Sequence, residues 1–206
     1  SESLLEYGIN TLLEDTDVDI MKSLVRHLEK FLSYKHLLNP FIEGAIKGEL
    51  GIIYYFFGDN TTAKNFLEES LIELNSSSSR YALSLGYLGN VYRDLGDYEK
   101  GKKLLEKSVS IYKKNYPKSV LNHAYFLTYW GIIERITGNY EKATHLFNEG
   151  LLFHKKHFRK NENFACWVEG QLPLVIAETG NYEEASNIME RNLKNFRKSR
   201  PSNHFD

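Results

Sequence analysis

Residues 83–109 read LSLGYLGNVYRDLGDYEKGKKLLEKSV. Leu85, Leu88, Gly89 and Tyr92 stand at i, i+3, i+4 and i+7, which is one face of an amphipathic helix. Gly96 then interrupts the pattern, and Asp97 is a residue type that caps the start of another helix. Beyond Asp97, the residues Tyr98, Gly101, Leu105 and Ser108 again share one helical face. Small residues at Gly89, Gly101 and Ser108 let two backbones approach closely. Leu88, Tyr92, Tyr98 and Leu105 fill the space between them. The stretch predicts two helices joined by a tight corner and packed against each other.

The corner recurs. Gly58-Asp59-Asn60, Gly96-Asp97-Tyr98, Gly138-Asn139-Tyr140 and Gly180-Asn181-Tyr182 are four copies of it. Gly58 to Gly96 is 38 residues, and Gly96 to Gly138 and Gly138 to Gly180 are 42 each. A unit that repeats at a fixed period and cannot bury its own apolar face must stack on its neighbours. The run Leu88-Gly89-x-x-Tyr92, the glycine corner and the small residues of the second helix resemble a tetratricopeptide repeat. The ordinary period of that family is about 34 residues. The longer step is similar to the repeats of kinesin light chains and bacterial sensor proteins, and implies longer helices or loops. The resemblance implies an all-α fold, a right-handed α-solenoid of antiparallel helix pairs, whose first helices line a concave face.

Composition agrees with such a fold. The chain has 206 residues, 42% hydrophobic and 26% charged, which predicts a packed rather than a disordered polypeptide. Only four prolines are present, as suits a helical protein. A formal net charge of −1 supplies no general attraction to nucleic acid or anionic lipid, so neither is an expected partner. Cys166 is the single cysteine; no internal disulfide can form, and a reducing, cytoplasmic setting is expected. The apolar run from Ile52 to Phe57 is far short of the roughly 20 residues that span a bilayer. The sequence opens at Ser1 with no signal-peptide pattern, and is expected to be a fragment of a longer array.

The chain is expected to form one domain, residues 1–206. Residues 1–38 read as a divergent helical pair or cap, with Leu4, Leu5, Ile9, Leu12 and Leu13 on one helix. Ile20, Leu24, Leu28, Phe31 and Leu32 mark the other. Repeats follow at about 41–74, 80–115, 118–158 and 164–198. Asn39-Pro40 stops one helix and starts the next, and the serines at 76–79 read as a link between repeats. Glu134 stands where the pattern expects a tyrosine, which predicts a polar contact in place of an aromatic one. Pro173 occupies the small-residue position deep in a helix, and Asn192 replaces a small residue in the partner helix. Pro173 should kink its helix at a cost of about 3 kcal/mol unless packing compensates. Asn203-His204 repeats the placing of Asn122-His123, so a further repeat is expected beyond the end, with self-association through exposed terminal repeats.

No catalytic motif is present: no phosphate loop, no nucleophile elbow and no cysteine pair for zinc. His154 and His157 lie at i, i+3, but HKKHFRK reads as a solvated basic helix end favourable to the helix dipole. Acidic residues early in second helices complement the opposite end of that dipole. The expectation is a protein that is not an enzyme and needs no metal or cofactor. What remains is a surface. Carried onto this sequence, the family's concave face implies binding residues Tyr55, Asn90, Arg93, Tyr125, Thr128, Arg135 and Trp167. Aromatic walls at Tyr125 and Trp167, with guanidinium groups at Arg93 and Arg135, suit a peptide with apolar anchors and a carboxylate. The resemblance therefore implies a scaffold that binds a protein or peptide ligand. A peptide-sensing regulatory segment of a multidomain signalling protein and a structural spacer or self-assembly segment are the alternatives.

Overall fold

The structure, a computed structural model, describes residues 18–116, 121–157 and 162–199. Among these residues every regular element is helical. In chain order they are α1 Val18–Ser33, a 3₁₀ turn Lys35–Leu37, α2 Pro40–Phe56, α3 Asn60–Glu73, α4 Ser79–Asp94 and α5 Tyr98–Asn115. After these come α6 Leu121–Ile136, α7 Tyr140–His157, α8 Glu162–Glu169, α9 Gln171–Glu178 and α10 Tyr182–Ser199. They fall into two compact units, α1 to α5 and α6 to α10, divided between residues 119 and 120. Of the helical pair expected in residues 1–38, only α1 lies within the described residues.

The corners explain the pairing of helices. Gly58, Gly96, Gly138 and Gly180 all have left-handed backbones, with φ of +77°, +81°, +84° and +90°. At the second corner the Gly96 amide donates to the Arg93 carbonyl at 3.0 Å, and the Asp97 amide to the Tyr92 carbonyl at 2.9 Å. This pair of bonds satisfies the last carbonyls of α4 and recurs at the other three corners. The residue after the glycine then serves the next helix. The Asp97 carboxylate accepts from the Lys100 amide at 3.2 Å, Asp59 from Thr62 at 3.0 Å, and the Asn181 side chain from Glu184 at 3.3 Å. Two residues thus end one helix and begin another, so the pair must run antiparallel.

Close approach follows at a fixed register. Seven residues before the corner, a Cβ on Gly89 would lie 2.7 Å from Leu105 Cγ and 3.0 Å from the Gly101 carbonyl. Gly51 meets Leu67, and Gly131 meets the Phe147 ring, each at 2.6 Å in the same way.

In the first unit α2 pairs with α3 and α4 with α5, while α4 also packs on α2 and α3. Every residue of α4 from Ala82 to Val91 is buried. Buried hydroxyls are spent inside the packing: Ser70 and Ser84 share a hydrogen bond of 2.9 Å, and Ser108 donates to the Ala82 carbonyl at 2.6 Å. Asn39 caps α2 through the Ile42 amide at 2.9 Å, with Pro40 as first residue. Ser78 caps α4 through the Tyr81 amide, so the serine run is both link and helix start. On α1 the covered face differs from the expected one. Met21, Val25, Leu28 and Leu32 meet Leu50 and Ile53. Ile20, Leu24 and Phe31 belong to a second apolar stripe, rotated from the first, and are 59%, 44% and 57% exposed.

In the second unit α6 pairs with α7, and Ala124, Ala143, Phe147, Leu151, Phe164, Val168 and Val175 form its core. His154 is buried, with its ring 4.5 Å from that of Phe164. The expectation of a solvated helix end is corrected at that residue, because Phe164 is carried across it by α8. The first helix of the last pair is interrupted at Gly170 into α8 and α9, close to the expected kink at Pro173. Proline has no N–H to give the Glu169 carbonyl four residues back. The Asn192 side-chain amide donates to that carbonyl instead, at 3.2 Å.

Candidate interaction faces

In the first unit the residues three positions before each corner meet. The Arg93 Nη2 donates to the Tyr55 hydroxyl at 3.3 Å. Its Nε and Nη2 donate to Asp94 Oδ1 at 2.9 and 2.7 Å. The Tyr55 ring stands edge-on to Tyr87 with centroids 5.7 Å apart, and Phe56 lies 5.9 Å from the same ring. The guanidinium is therefore held in place by a phenol and a carboxylate, with its side chain only 13% exposed. One turn earlier on α4, Asn90 is fully buried, and neither Nδ2 nor Oδ1 has a hydrogen-bond partner. Leaving a buried polar group unsatisfied costs about 1–3 kcal/mol. An amide offers one donor side and one acceptor side, the same pair that a peptide group needs in return.

In the second unit the corresponding arginine, Arg135, pairs with Glu178 near the end of α9. Trp167 of α8 lies against two tyrosines of α6, at 5.7 Å from Tyr125 and 5.2 Å from Tyr129. Phe164 closes the group, 4.6 Å from Tyr125. Thr128 is wholly buried; its hydroxyl donates to the Ala124 carbonyl at 2.9 Å, and it sits where a side chain at Gly150 would stand. The structure thus joins Tyr55 with Arg93, and Tyr125 with Trp167. Asn90 and Thr128 lie inside the packing. Tyr87 and Tyr129 were missed by the sequence reading, although both stand nine residues before a corner glycine, a shared register that marks them out.

Another register, four residues before the corner, ties helices together. The Tyr54 hydroxyl donates to Glu29 at 3.0 Å, and Tyr92 to Glu68 at 2.8 Å. The bond to Glu68, reinforced by burial, pushes the Tyr92 phenol up to about 12. Burial first and the Glu29 bond second also raise Tyr54. At the third corner Glu134 takes the place of the tyrosine, as a fully buried carboxylate. It accepts from Trp130 Nε1 at 2.9 Å and Asn139 Nδ2 at 2.7 Å, and pairs with Lys142 at 3.1 Å. Lys142 also lies 4.6 Å over the Trp130 ring. The polar contact expected there is present. Among the described residues no group of His, Cys, Asp and Glu is placed to hold a metal ion, and no helix is long and apolar enough to cross a membrane.

Residues 84–115 match the tetratricopeptide repeat family model. No curated protein sequence matches the chain. Solved structures do. A kinesin light chain-like protein of Podosopora anserina with nearly identical TPR-like repeats is 18% identical, with 98% of this chain and 99% of that one covered at a TM-score of 0.70. BtubC of P. vanneervenii is 14% identical over 99% and 85% of the two chains, at a TM-score of 0.76. The apo form of RapI is 18% identical over 94% and 68%, at 0.72. Identities this low speak for the fold alone. Residues 84–115 are thus similar to a tetratricopeptide repeat, and the chain has the all-α fold of antiparallel helix pairs found in tetratricopeptide-like repeat proteins.

Proposed function

We propose that this chain is a non-catalytic protein-interaction module that holds a peptide segment of a partner along its first helices. Tetratricopeptide-like folds typically mediate protein–protein interactions. The reading is supported above all by the contact between Tyr55 and Arg93, residues at one register of two successive hairpins. Contact at that register makes their first helices one continuous surface rather than two separate ones. On it, Tyr55 gives an apolar edge backed by the buried Tyr87, and Arg93 gives a fork for a carboxylate, while Asn90 lies inside the packing of α4. Tyr125, Arg135 and Trp167 play the same parts in the second unit, while Thr128 is buried and bonded within α6. A bound carboxylate competes with Asp94 or Glu178 for its arginine, so apolar anchors carry much of the affinity.

The test is selection from a displayed library of random peptides against the whole chain, followed by fluorescence polarisation on the winners. Peptides combining an acidic residue with aromatic or aliphatic anchors are expected. Arg93→Ala should weaken them about tenfold or more, the range for a lost hydrogen bond to a charged group. Failure to enrich any peptide family, or winners that bind Arg93→Ala and Arg135→Ala as tightly as the parent, overturns the reading.

A further inference from the structure

We infer that Pro173 and Asn192 are a matched pair of positioning residues, which sets the bend of α8–α9 and with it the aromatic wall of the second unit. The register carries the argument. Seven residues before the other corners stand Gly51, Gly89 and Gly131; before the last stands Pro173. Twelve residues after the other corners stand Ser70, Ser108 and Gly150; after the last stands Asn192. Both departures fall in one hairpin, on facing helices, and the structure links them through a single atom. The Glu169 carbonyl cannot receive the N–H that residue 173 lacks, and it receives Asn192 Nδ2 at 3.2 Å. Either change alone is unfavourable. Proline without the amide leaves a helical carbonyl short of its donor, and asparagine without the proline puts a polar group where a small residue packs.

The consequence lies on either side of the interruption at Gly170. The part before it, α8, places Trp167 against Tyr125 and Tyr129. The part after it, α9, places Glu178 against Arg135. One bend therefore decides how far Trp167 stands from Glu178, and so from the Arg135 guanidinium that Glu178 meets. A peptide that seats an aromatic or aliphatic side chain on Trp167 and a carboxylate on Arg135 must match that separation. The bearing on binding rests on the proposed function; the bend itself does not.

The experiment uses the full chain labelled with 5-fluorotryptophan. Two ¹⁹F resonances are assigned by Trp167→Phe, and Trp130 is the internal control for folding. Asn192→Ala should shift or broaden the Trp167 signal and leave that of Trp130 in place. If this variant does not fold, Asn192→Asp keeps the size and removes the donor. Pro173→Ala restores an N–H for the Glu169 carbonyl, so adding Asn192→Ala in that background should have no further effect. Peptides selected from the displayed library should bind Asn192→Ala about tenfold more weakly, as expected when a pre-arranged site is loosened. An unmoved Trp167 signal, or an Asn192→Ala effect of equal size with and without Pro173→Ala, overturns the pairing. The ¹⁹F readout needs no ligand, so it separates failure of this inference from failure of the binding proposal. A moved Trp167 signal with unchanged peptide affinity overturns the link to binding.

Discussion

Glu134 is a fully buried carboxylate on which three donors of the second unit converge. Three donors, from Trp130, Asn139 and Lys142, point at one carboxylate that has no exposure to water. Removing it strands those donors, and breaking such a buried charged group costs about 3 kcal/mol. Glu134→Ala should therefore lower unfolding free energy by that order in urea titration, well beyond the effect of Lys142→Ala, whose side chain is 45% exposed. Tyr92 makes a second residue-level prediction. Its phenol ionises at about 12, above the usual 10, because Glu68 holds the protonated form. A raised value means that the folded chain keeps this proton when the unfolded chain has lost it. The stability it contributes is complete below pH of about 10 and disappears as pH rises through about 12. The difference in absorbance titration between the parent and Tyr92→Phe should show one phenol ionising near that upper value; a phenol of ordinary behaviour would reject the Glu68 contact. At this scale the sequence was a partial guide. A polar contact at Glu134 was readable, because the register called for a tyrosine. Its three donors were not, because they come from a helix turn, a corner and the next helix.

At the scale of the element, glycine plays two parts that a sequence writes with the same letter. Gly96 is needed for its backbone, at φ +81°, and has open space around its missing side chain. Alanine there costs only conformational strain, about 1 kcal/mol. Gly89 is needed for its size, since a Cβ would lie 2.7 Å from Leu105 Cγ and 3.0 Å from the Gly101 carbonyl. Alanine there forces α4 and α5 apart at a cost of about 3 kcal/mol. Gly89→Ala should thus lower the urea midpoint clearly more than Gly96→Ala. The reverse order would mean that corners, not helix contact, hold the hairpin together. Corners and close contacts were both legible in advance, since each is local and repeats at a fixed register. The exposed stripe of α1 was not. Ile20, Leu24 and Phe31 have the same apolar spacing as the residues that do meet α2, and spacing alone does not say which stripe a neighbour covers.

At the scale of the molecule, each helix gains stability mainly from the helices beside it, so burial should grade along the array. In the first unit α4 lies against α2, α3 and α5 and is buried without a break from Ala82 to Val91. α1 buries fully only Val25. Amide hydrogen exchange should therefore be slowest in α4 and markedly faster in α1; equal protection in the two would contradict a neighbour-by-neighbour origin of stability. The sequence by itself determined the helices, their corners and their pairing, because capping, left-handed glycine and close helix contact each act within about 20 residues of chain. Only the tertiary structure decided which first-helix residues touch. That Arg93 reaches Tyr55, that Trp167 lies on Tyr129, and that Asn192 answers Pro173 depend on distances between separate helices, which residue spacing along one helix does not encode.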